Sequence, residues 1–381
     1  MFNFKDYDFK HYNISLLMII VLLGGIGMVL IQKLQDADEM QFEKQIVGLA
    51  VGIVFAVIIS LFDYHFLCKF FIPLYIINFI LLFLTKFTSI GKSHFQAKRW
   101  IKLDFIGSGL EIQTSEFTKI IMILFMAKFF ELFRRQINNV WVILASIVLM
   151  GMPIFLILIQ PNLSYSIVLS ATFAAIIFAA GLSYKIILSF IAVVVPVFGV
   201  LFWYIQQPFQ KILTEYQQLR VLAMLHPEEY PDLVYQQTNA ATAIRAGGMV
   251  GKFIKDESAD LKAAKVPVVE SDFIFSAIAE AFGFIGCLVV FLLFIVLIFK
   301  CLQIAKRAND YLGMLIATGI ASLIMFQVFV NIGVVTSILP NTGVPLPFVS
   351  SGLSSLLGSM LMLGVLLNVS LQGKRKEKEV S

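Results

Sequence analysis

Residues 206–272 read QQPFQKILTEYQQLRVLAMLHPEEYPDLVYQQTNAATAIRAGGMVGKFIKDESADLKAAKVPVVESD, and they form the one long polar stretch in a chain otherwise made of apolar runs. Of the 381 residues, 59% are hydrophobic and 14% are charged, and the mean hydropathy is +0.89. Values so far above those of soluble globular domains indicate a protein that crosses the membrane several times. The polar stretch therefore separates two groups of membrane helices, and we expect it to lie in water.

The apolar runs predict the number of spans, because a helix needs roughly 20 residues to cross the hydrocarbon core. Pro161 divides two runs that would otherwise form one long element. The ten predicted spans lie at 14–32, 46–62, 66–84, 117–134, 140–159, 164–182, 186–205, 273–299, 312–338 and 348–370. The predicted fold class is all-α, a polytopic bundle forming one domain over residues 1–381, with a large extracytoplasmic loop, 206–272, between the seventh and eighth spans.

An even number of spans places both termini on one side of the membrane, and the basic residues indicate which side. Those that fall on the face of the termini are Lys5, Lys10, Arg134, Arg135, Lys185, Lys300, Lys306, Arg307 and the tail Lys374–Lys376. The positive-inside rule makes this face cytoplasmic. The connection 86–115 on the other face also carries basic residues. It is either a harmless exception within a long loop or a binding site for an anion such as pyrophosphate.

Other kinds of site are disfavoured by the composition. No basic patch interleaved with aromatic residues is present, so we predict no nucleic-acid partner. The cysteines and histidines are scattered without metal-ligand spacing, so we predict neither a disulfide nor a histidine-rich metal centre. These residues are Cys68, Cys287, Cys301, His11, His65, His94 and His226.

Glu116 and Lys119 lie three residues apart at the start of the fourth predicted span. Ser115 or Thr114 can cap this helix, and a glutamate in the first turn suits the positive helix end. Lys119 lies deeper in the apolar run, where an unpaired ammonium group is costly. We therefore expect it to pair with Glu116 or with an anion, unless its long side chain reaches the interface instead.

Asp272 stands where the polar loop meets the next apolar run, Phe273-Ile274-Phe275. Partial loss of water raises the pKa of a carboxyl group and suits it to general-base chemistry. Aspartate is equally a preferred helix N-cap, and the sequence alone leaves base and cap both open. Glu280, about two turns deeper, must face protein or water rather than lipid, which predicts a buried supporting carboxylate.

A broken stretch near the end of the chain, Asn341–Gly352, reads NTGVPLPFVSSG and interrupts two apolar runs. Its two prolines and two glycines are incompatible with a continuous helix. Irregular backbone at membrane depth is tolerated only where protein covers it or where it lines a polar cavity. We therefore expect this stretch to border the site.

Together these motifs resemble the SEDS family (shape, elongation, division, sporulation) of bacterial cell-wall synthesis. The resemblance covers most of the chain in order: Ala97–Ile101, Gln113–Lys119, Gln160–Pro161, Tyr216–Arg220, Gly247–Gly248, Gly251–Lys252, Asp272–Phe275, Gly283–Gly286 and Asn331–Ser354. The run Ile338–Pro347 is more similar to the elongation branch, RodA, than to the division branch, FtsW.

The resemblance implies an enzyme of ten membrane helices in the bacterial cytoplasmic membrane. Such peptidoglycan glycosyltransferases polymerise lipid II, a disaccharide-pentapeptide on undecaprenyl pyrophosphate, into glycan strands on the outer face. They work with a class B penicillin-binding protein, a transpeptidase that crosslinks the strands. For the elongation branch, the role is cell elongation and rod shape.

The resemblance also implies site residues. The family's essential aspartate falls on Asp272, and its glutamate and lysine pair on Glu116 and Lys119. With further residues of the matching stretches and Gln236 of the polar loop, the predicted substrate-binding set is Lys98, Arg99, Trp100, Glu116, Lys119, Tyr216, Gln217, Arg220, Gln236 and Ser350.

The implied reaction is an inversion at the sugar carbon, so it requires one base and no covalent nucleophile. Asp272 would take the proton from the attacking hydroxyl, and positive charge would stabilise the leaving pyrophosphate, with or without a divalent cation.

Two other functions use the same residues differently. In a lipid II flippase or other lipid transporter, the charges would line a path through the membrane and Asp272 would be a cap. Ionisable residues should then be distributed through the membrane depth, whereas here they gather at one face, with Lys119 and Glu280 as partial exceptions. A scaffold that only binds a partner is the third possibility.

Overall fold

The computed structural model describes residues 7, 9, 12–34, 39–94, 97–102, 111–254, 256, 259–341 and 343–373. Within these ranges the chain forms thirteen α-helices and one small sheet. The helices are α1 Ile14–Leu34, α2 Glu39–Ser60, α3 Tyr64–Lys69, α4 Phe71–Phe87, α5 Thr114–Leu132, α6 Val140–Ile159, α7 Leu163–Ala179, α8 Tyr184–Ile205, α9 Glu215–Leu225, α10 Pro231–Gly247, α11 Ile274–Arg307, α12 Tyr311–Val335 and α13 Leu353–Leu371.

The all-α class predicted from the apolar runs is confirmed. Within the described residues, seven helices are long and apolar enough to cross a membrane, namely α1, α2, α6, α8, α11, α12 and α13, and the apolar helices α4 and α7 are shorter. Helix α5 carries charged side chains but coincides with the remaining predicted span. Each of the ten predicted spans thus overlaps a helix, and the count of ten membrane crossings stays a prediction.

Helices α12 and α5 form the centre of the bundle. Most residues of α12 are buried, and α12 packs against α5, α7 and α11. Helix α13 packs along α2 and also contacts α5. In contrast, α8 has no buried residue, so its apolar surface faces outward along its whole length. The core therefore lies between α5, α12 and α13.

The predicted boundaries of two spans were wrong. The span at 66–84 is two helices, because the backbone at Phe70 leaves the helical region and Asp63 caps the separate short helix α3. The span at 348–370 begins only at Leu353, because Gly352 has a φ of 144° and the preceding residues are not helical. Counting apolar residues does not detect such breaks.

Helix α11 is longer than its predicted span and is broken at Gly283, where φ is 67° and ψ is −166°. A glycine is required there, since a Cβ atom would lie 2.3 Å from the backbone nitrogen of Gly251. Residues 248–253 run beside the break: the amides of Lys252 and Phe253 donate to the carbonyls of Glu280 and Ala281 at 3.0 Å each. The break thus fixes the polar stretch to the start of α11.

Glu280 is completely buried on this first part of α11. Its carboxylate accepts hydrogen bonds from the backbone amides of Lys262 (2.9 Å) and Ala263 (2.7 Å) and contacts the Lys252 ammonium at 2.5 Å. The prediction of a buried supporting carboxylate is confirmed. Glu280 holds the later part of the polar stretch, which leads to Asp272, against the bundle.

The connection between α4 and α5 contains a three-stranded antiparallel sheet, which the pattern of apolar runs did not predict. Its strands are β1 Gly91–His94, β2 Ala97–Lys102 and β3 Glu111–Gln113. Strand β2 lies in the middle, and Trp100 is opposite Gln113 of β3. Strand β3 leads directly into α5, so the sheet is attached to the centre of the bundle.

Candidate active site

A cavity of about 560 Å³ opens where the sheet, α9, α10 and the start of α11 meet. We call this end of the bundle the loop end. The cavity is lined by Arg99, Trp100, Glu111, Gln113, Arg220, Asp232, Leu233, Gln236, Val268, Ser271, Asp272, Asn341, Gly343, Pro345 and Ser351–Ser355. Every one of these segments is separated from the others in sequence, so the cavity exists only in the folded bundle.

Asp272 lies in this cavity two residues before α11. Helix α11 has Phe273 at its N-cap position, and no side-chain hydrogen bond caps it, so Asp272 is not the helix cap. Its carboxylate accepts a hydrogen bond from the Ser271 hydroxyl at 3.2 Å. Burial raises the pKa of Asp272 above its ordinary value, while Ser271 and the guanidinium groups of Arg99 and Arg220 oppose that rise. The group is thus a partly buried carboxylate close to positive charge.

Arg99 and Arg220 reach the cavity from different elements. On β2, the largely buried Arg99 donates from Nε to the carbonyl of Gln160 at 3.1 Å and from Nη2 to the carbonyl of Pro161. On α9, Arg220 donates from Nη1 to the carbonyl of Asn341 at 2.7 Å. These bonds hold both guanidinium groups at the wall of the cavity. The cavity thus places two guanidinium groups, the kind that binds carboxylates and phosphates, close to Asp272.

The broken stretch borders the cavity, as predicted. Gly343 has a φ of 68°, a conformation that residues with a Cβ atom rarely adopt. A Cβ atom built there would lie 2.8 Å from Oδ2 of Asp272. Glycine at this position therefore gives the Asp272 carboxylate the space it occupies.

The predicted pair of Glu116 and Lys119 forms a salt bridge of 2.6 Å between side chains that are 0% and 1% exposed. Glu116 also accepts a hydrogen bond from the Tyr165 hydroxyl, and the Lys119 ammonium lies 5.2 Å from the centre of the Tyr165 ring and donates to Gln327 at 3.2 Å. The expectation that Lys119 pairs with Glu116 is met. Neither side chain is among those that line the cavity, and substrate binding by this pair stays a prediction.

The cavity brings together five of the predicted site residues: Arg99, Trp100, Arg220, Gln236 and Asp272. Besides Glu116 and Lys119, three others lie outside it. The Lys98 ammonium donates to the Thr88 carbonyl at 2.5 Å. Gln217 closes the capping box of α9 with Thr214. The Ser350 hydroxyl bridges the Leu346 amide (2.8 Å) and the Ser271 carbonyl (2.5 Å). The side chain of Tyr216 lies outside the described part of the structure.

Two acidic side chains in the cavity, Glu111 and Asp232, were not predicted. Glu111 forms an ion pair with Lys92 across the sheet at 2.8 Å, and Asp232 lies in the first turn of α10. Single acidic residues in polar segments follow no periodic pattern, so the sequence offered no reason to select them. Among the described residues, no group of three or more histidine, cysteine, aspartate or glutamate side chains is arranged to hold a metal ion.

Comparison with known proteins places this arrangement in a family. Residues 10–375 match the family model described as FtsW, RodA and SpoVE cell cycle proteins. The chain is 32% identical over 376 residues to a probable peptidoglycan glycosyltransferase FtsW of Trichlorobacter lovleyi, covering 96% of this chain and 95% of the relative. It is 31% identical over 379 residues to the peptidoglycan glycosyltransferase MrdB of Escherichia coli, covering 98% and 97%.

Solved structures agree on the fold. A chain from a structure described as "Structural coordination of polymerization and crosslinking by a peptidoglycan synthase complex" superposes with a TM-score of 0.79, 26% identity and coverage of 94% of this chain and 97% of that chain. The rod shape determining protein RodA of Thermus thermophilus gives a TM-score of 0.68 at 24% identity, covering 94% and 96%. The chain therefore belongs to the FtsW, RodA and SpoVE family, and its predicted enzyme class, peptidoglycan glycosyltransferase, is the one its relatives carry by name.

Proposed function

We propose that this protein polymerises lipid II into glycan strands by an inverting glycosyl transfer in which Asp272 is the general base. The observation that carries the proposal is the position of Asp272 in a cavity with Arg99 and Arg220, close enough for both arginines to act on its pKa. A proton acceptor beside positive charge is what the transfer of a sugar from a pyrophosphate requires. The names of the relatives support the same reaction class.

In the proposed step, the 4-hydroxyl oxygen of the acceptor sugar attacks the anomeric carbon of the donor. Asp272 takes the hydroxyl proton as the new carbon–oxygen bond forms, and the bond to the pyrophosphate oxygen breaks on the opposite face. The electron pair of that bond leaves on the pyrophosphate, next to the guanidinium groups. Burial raises the pKa of Asp272, which increases its strength as a base. The configuration inverts once, so no covalent intermediate is needed.

A divalent cation is compatible with this proposal but is not required by it. Three carboxylates, Asp272, Glu111 and Asp232, line the cavity without forming a metal cluster within the described residues. A cation here would be held by one or two of these carboxylates together with the pyrophosphate, which supplies oxygen ligands of its own. In that case the cation would add positive charge to that of the arginines on the leaving group.

We further propose that the loop end faces the outside of the bacterial cytoplasmic membrane and that both termini are cytoplasmic. Arg134 lies just after the end of α5, and Lys185 lies at the start of α8, both at the opposite end of the bundle. The positive-inside rule predicts that such basic residues face the cytoplasm. The substrate's sugars would then meet in water at the cavity while its lipid tails stay in the bilayer.

The elongation role and the partner are also proposals. Relatives of both branches match at nearly the same identity, 32% for an FtsW and 31% for MrdB, so the choice of RodA rests on the run Ile338–Pro347. The similar chain in a synthase complex that couples polymerisation to crosslinking supports a class B penicillin-binding protein as the partner.

The proposal is tested by incubating the purified protein with fluorescent lipid II, alone and with its transpeptidase, and separating the products by size. Wild type should form long glycan, and Asp272→Asn should form at least about 100-fold less while still binding lipid II. Polymer formation by Asp272→Asn at the wild-type rate would reject Asp272 as the base. If wild type forms no polymer but moves lipid II across vesicles, the transporter function replaces the enzyme.

A further inference from the structure

Asn331 of α12 is buried, with 1% of its surface exposed, next to the loop that carries Asp272. Its side-chain amide nitrogen donates to the carbonyl of Asp272 at 2.9 Å and to the carbonyl of Val344 at 2.7 Å. The orientation of the amide group follows from chemistry, because two carbonyl acceptors require the NH₂ end rather than the oxygen. One side chain therefore joins the backbone of the proposed base to the broken stretch.

The backbone before α11 is held at three consecutive carbonyl groups. The carbonyl of Glu270 accepts from the Ser351 amide at 2.7 Å, and that of Ser271 accepts from the Ser350 hydroxyl at 2.5 Å. The carbonyl of Asp272 accepts from Asn331. Two of the three donors belong to the broken stretch, and only Asn331 comes from a membrane helix. Among these three donors, Asn331 is therefore the one that connects the tripeptide to α12 at the centre of the bundle.

A second amide lies one helical turn away on the same face of α12. Gln327 donates from Nε2 to the carbonyl of Pro345 at 3.0 Å, and its oxygen accepts from the Lys119 ammonium at 3.2 Å. The broken stretch is thus anchored to α12 at Val344 and again at Pro345. Through Gln327 it is also connected to the buried pair of Lys119 and Glu116.

We propose that Asn331 is a positioning residue that holds the Asp272 carboxylate in its place beside Gly343 of the broken stretch. The proposal rests on the proposed function and adds a residue to it that does not touch the substrate. Because hydrogen bonds hold the three carbonyls, the backbone that carries the Asp272 side chain is fixed. The side-chain oxygen Oδ2 lies next to Gly343 of the broken stretch. Without Asn331, the carbonyls of Asp272 and Val344 lose their common donor on α12, and the Asp272 backbone can shift so that the base leaves its reacting position.

The test compares two buried asparagines changed in the same way. Asn368 of α13 is 0% exposed, and its amide nitrogen also donates twice, to the Ser60 carbonyl at 2.7 Å and to the Tyr7 hydroxyl at 3.0 Å. It lies at the end of the bundle opposite the cavity. Asn331→Leu and Asn368→Leu each remove two donated hydrogen bonds, and Asn368→Leu also removes two that its oxygen accepts. Only Asn331→Leu removes a contact to the Asp272 loop, so Asn368→Leu controls for loss of stability.

We expect both variants to unfold at lower temperature than wild type, since each loses buried hydrogen bonds. In the lipid II polymerisation assay, kcat of Asn331→Leu should fall by about 10-fold to 100-fold, while KM for lipid II stays within about threefold, because a small displacement of a reacting group lowers the rate without removing a substrate contact. The Asn368→Leu variant should keep kcat within about threefold of wild type.

Equal kcat values for the two variants, or a change in KM in place of kcat, would overturn the proposal. If Asn331→Leu does not fold, Asn331→Ser is used, because a serine is too short to bridge both carbonyls but remains polar. If neither folds while Asn368→Leu does, Asn331 supports the whole bundle and the proposal is rejected. Polymer from Asp272→Asn, or none from wild type, would instead remove the proposed function itself.

Discussion

Asp272 and Asp310 each lie just before a long helix, α11 and α12 respectively, at opposite ends of the bundle. Asp310 is the N-cap of α12 and accepts hydrogen bonds from the Gly313 amide (2.8 Å), the Tyr64 hydroxyl (2.8 Å) and His65 Nε2 (2.6 Å). Asp272 does not cap its helix and receives one bond of 3.2 Å from the adjacent Ser271 hydroxyl.

The two carboxyl groups differ in pKa in opposite directions. Burial acts to raise the pKa of Asp310, but its hydrogen bonds from His65, Gly313 and Tyr64 outweigh burial and lower it. For Asp272, burial prevails and the pKa is raised. A carboxylate whose oxygens are fully hydrogen-bonded is a structural group, whereas one that is buried with few donors is available to take a proton.

A third carboxylate extends the comparison, because Glu116 is buried and neutralised by Lys119. Lys119→Met should lower the free energy of unfolding by about 3 to 5 kcal/mol, since it leaves an unpaired buried charge. Chemical unfolding in detergent measures this. The control is Lys128→Met on the same helix, whose pair with Glu131 has the same spacing but is partly exposed (25% and 28%), and about 1 kcal/mol or less is expected there. Equal losses would contradict the view that Lys119 neutralises a fully buried charge.

Moving the Asp272 carboxylate without changing its chemistry is the next test. Gly343→Ala places a Cβ atom 2.8 Å from Oδ2 of Asp272, so we expect a loss of up to about 100-fold in polymerisation. Gly181→Ala separates this contact from backbone strain, because Gly181 also has a positive φ (94°) but a Cβ atom there meets no atom within 4 Å. If both variants lose activity equally, backbone strain, and not displacement of the Asp272 carboxylate, explains the loss.

Asp310→Ala should lower stability and leave activity nearly unchanged, in contrast to Gly343→Ala. Loss of the N-cap and of the bonds to Tyr64 and His65 should lower the free energy of unfolding by about 1 to 2 kcal/mol. Polymerisation by the folded protein should stay within about threefold of wild type, because the residue lies at the end remote from the cavity. Polymerisation activity per amount of folded protein, measured after heating, distinguishes a loss of stability from a loss of catalysis. A severe loss of specific activity in folded Asp310→Ala would show that the ends are coupled.

The smallest expected effect is on the pH dependence of stability. His65 bridges Asp310 and Asp63, and the bond to Asp310 does most to raise its pKa above the ordinary value of about 6.5. A raised histidine pKa contributes stability that is fully present below about pH 6.5 and is lost as pH rises through the higher folded-state pKa. The unfolding temperature of wild type should therefore decline more steeply than that of His65→Gln as pH increases above 6.5. Parallel curves would show that His65 is not charged in the bridge.

The fold was largely predictable because lipid constrains the chain so strongly. A run of apolar residues in hydrocarbon has to be helical, and each predicted span overlaps a helix. The boundaries at Phe70 and Leu353 and the break at Gly283 were not predictable, since hydropathy reports the side chains and not the backbone angles. The sheet of β1, β2 and β3 was missed because its short polar strands pair through tertiary contacts.

The site was predictable in its motifs and not in its geometry. Asp272 was selected by its place at the edge of an apolar run, and the broken stretch by its prolines and glycines. Whether Asp272 was a base or a cap depended on where the α11 amides point, which only the fold decides. Asn331 begins the matching stretch Asn331–Ser354, but a lone polar residue in an apolar helix does not indicate what its side chain contacts.

The central claim, that Asp272 is kept as a reactive carboxylate rather than a structural one, is tested most directly by measuring activity and unfolding temperature together for Asp272→Asn at pH 7. Because burial raises the pKa of Asp272, ionised Asp272 opposes folding at neutral pH. The near-isosteric amide should therefore unfold at the same or a higher temperature than wild type while losing at least about 100-fold in polymerisation. A variant that unfolds at a clearly lower temperature, or one that polymerises lipid II at the wild-type rate, would contradict the account.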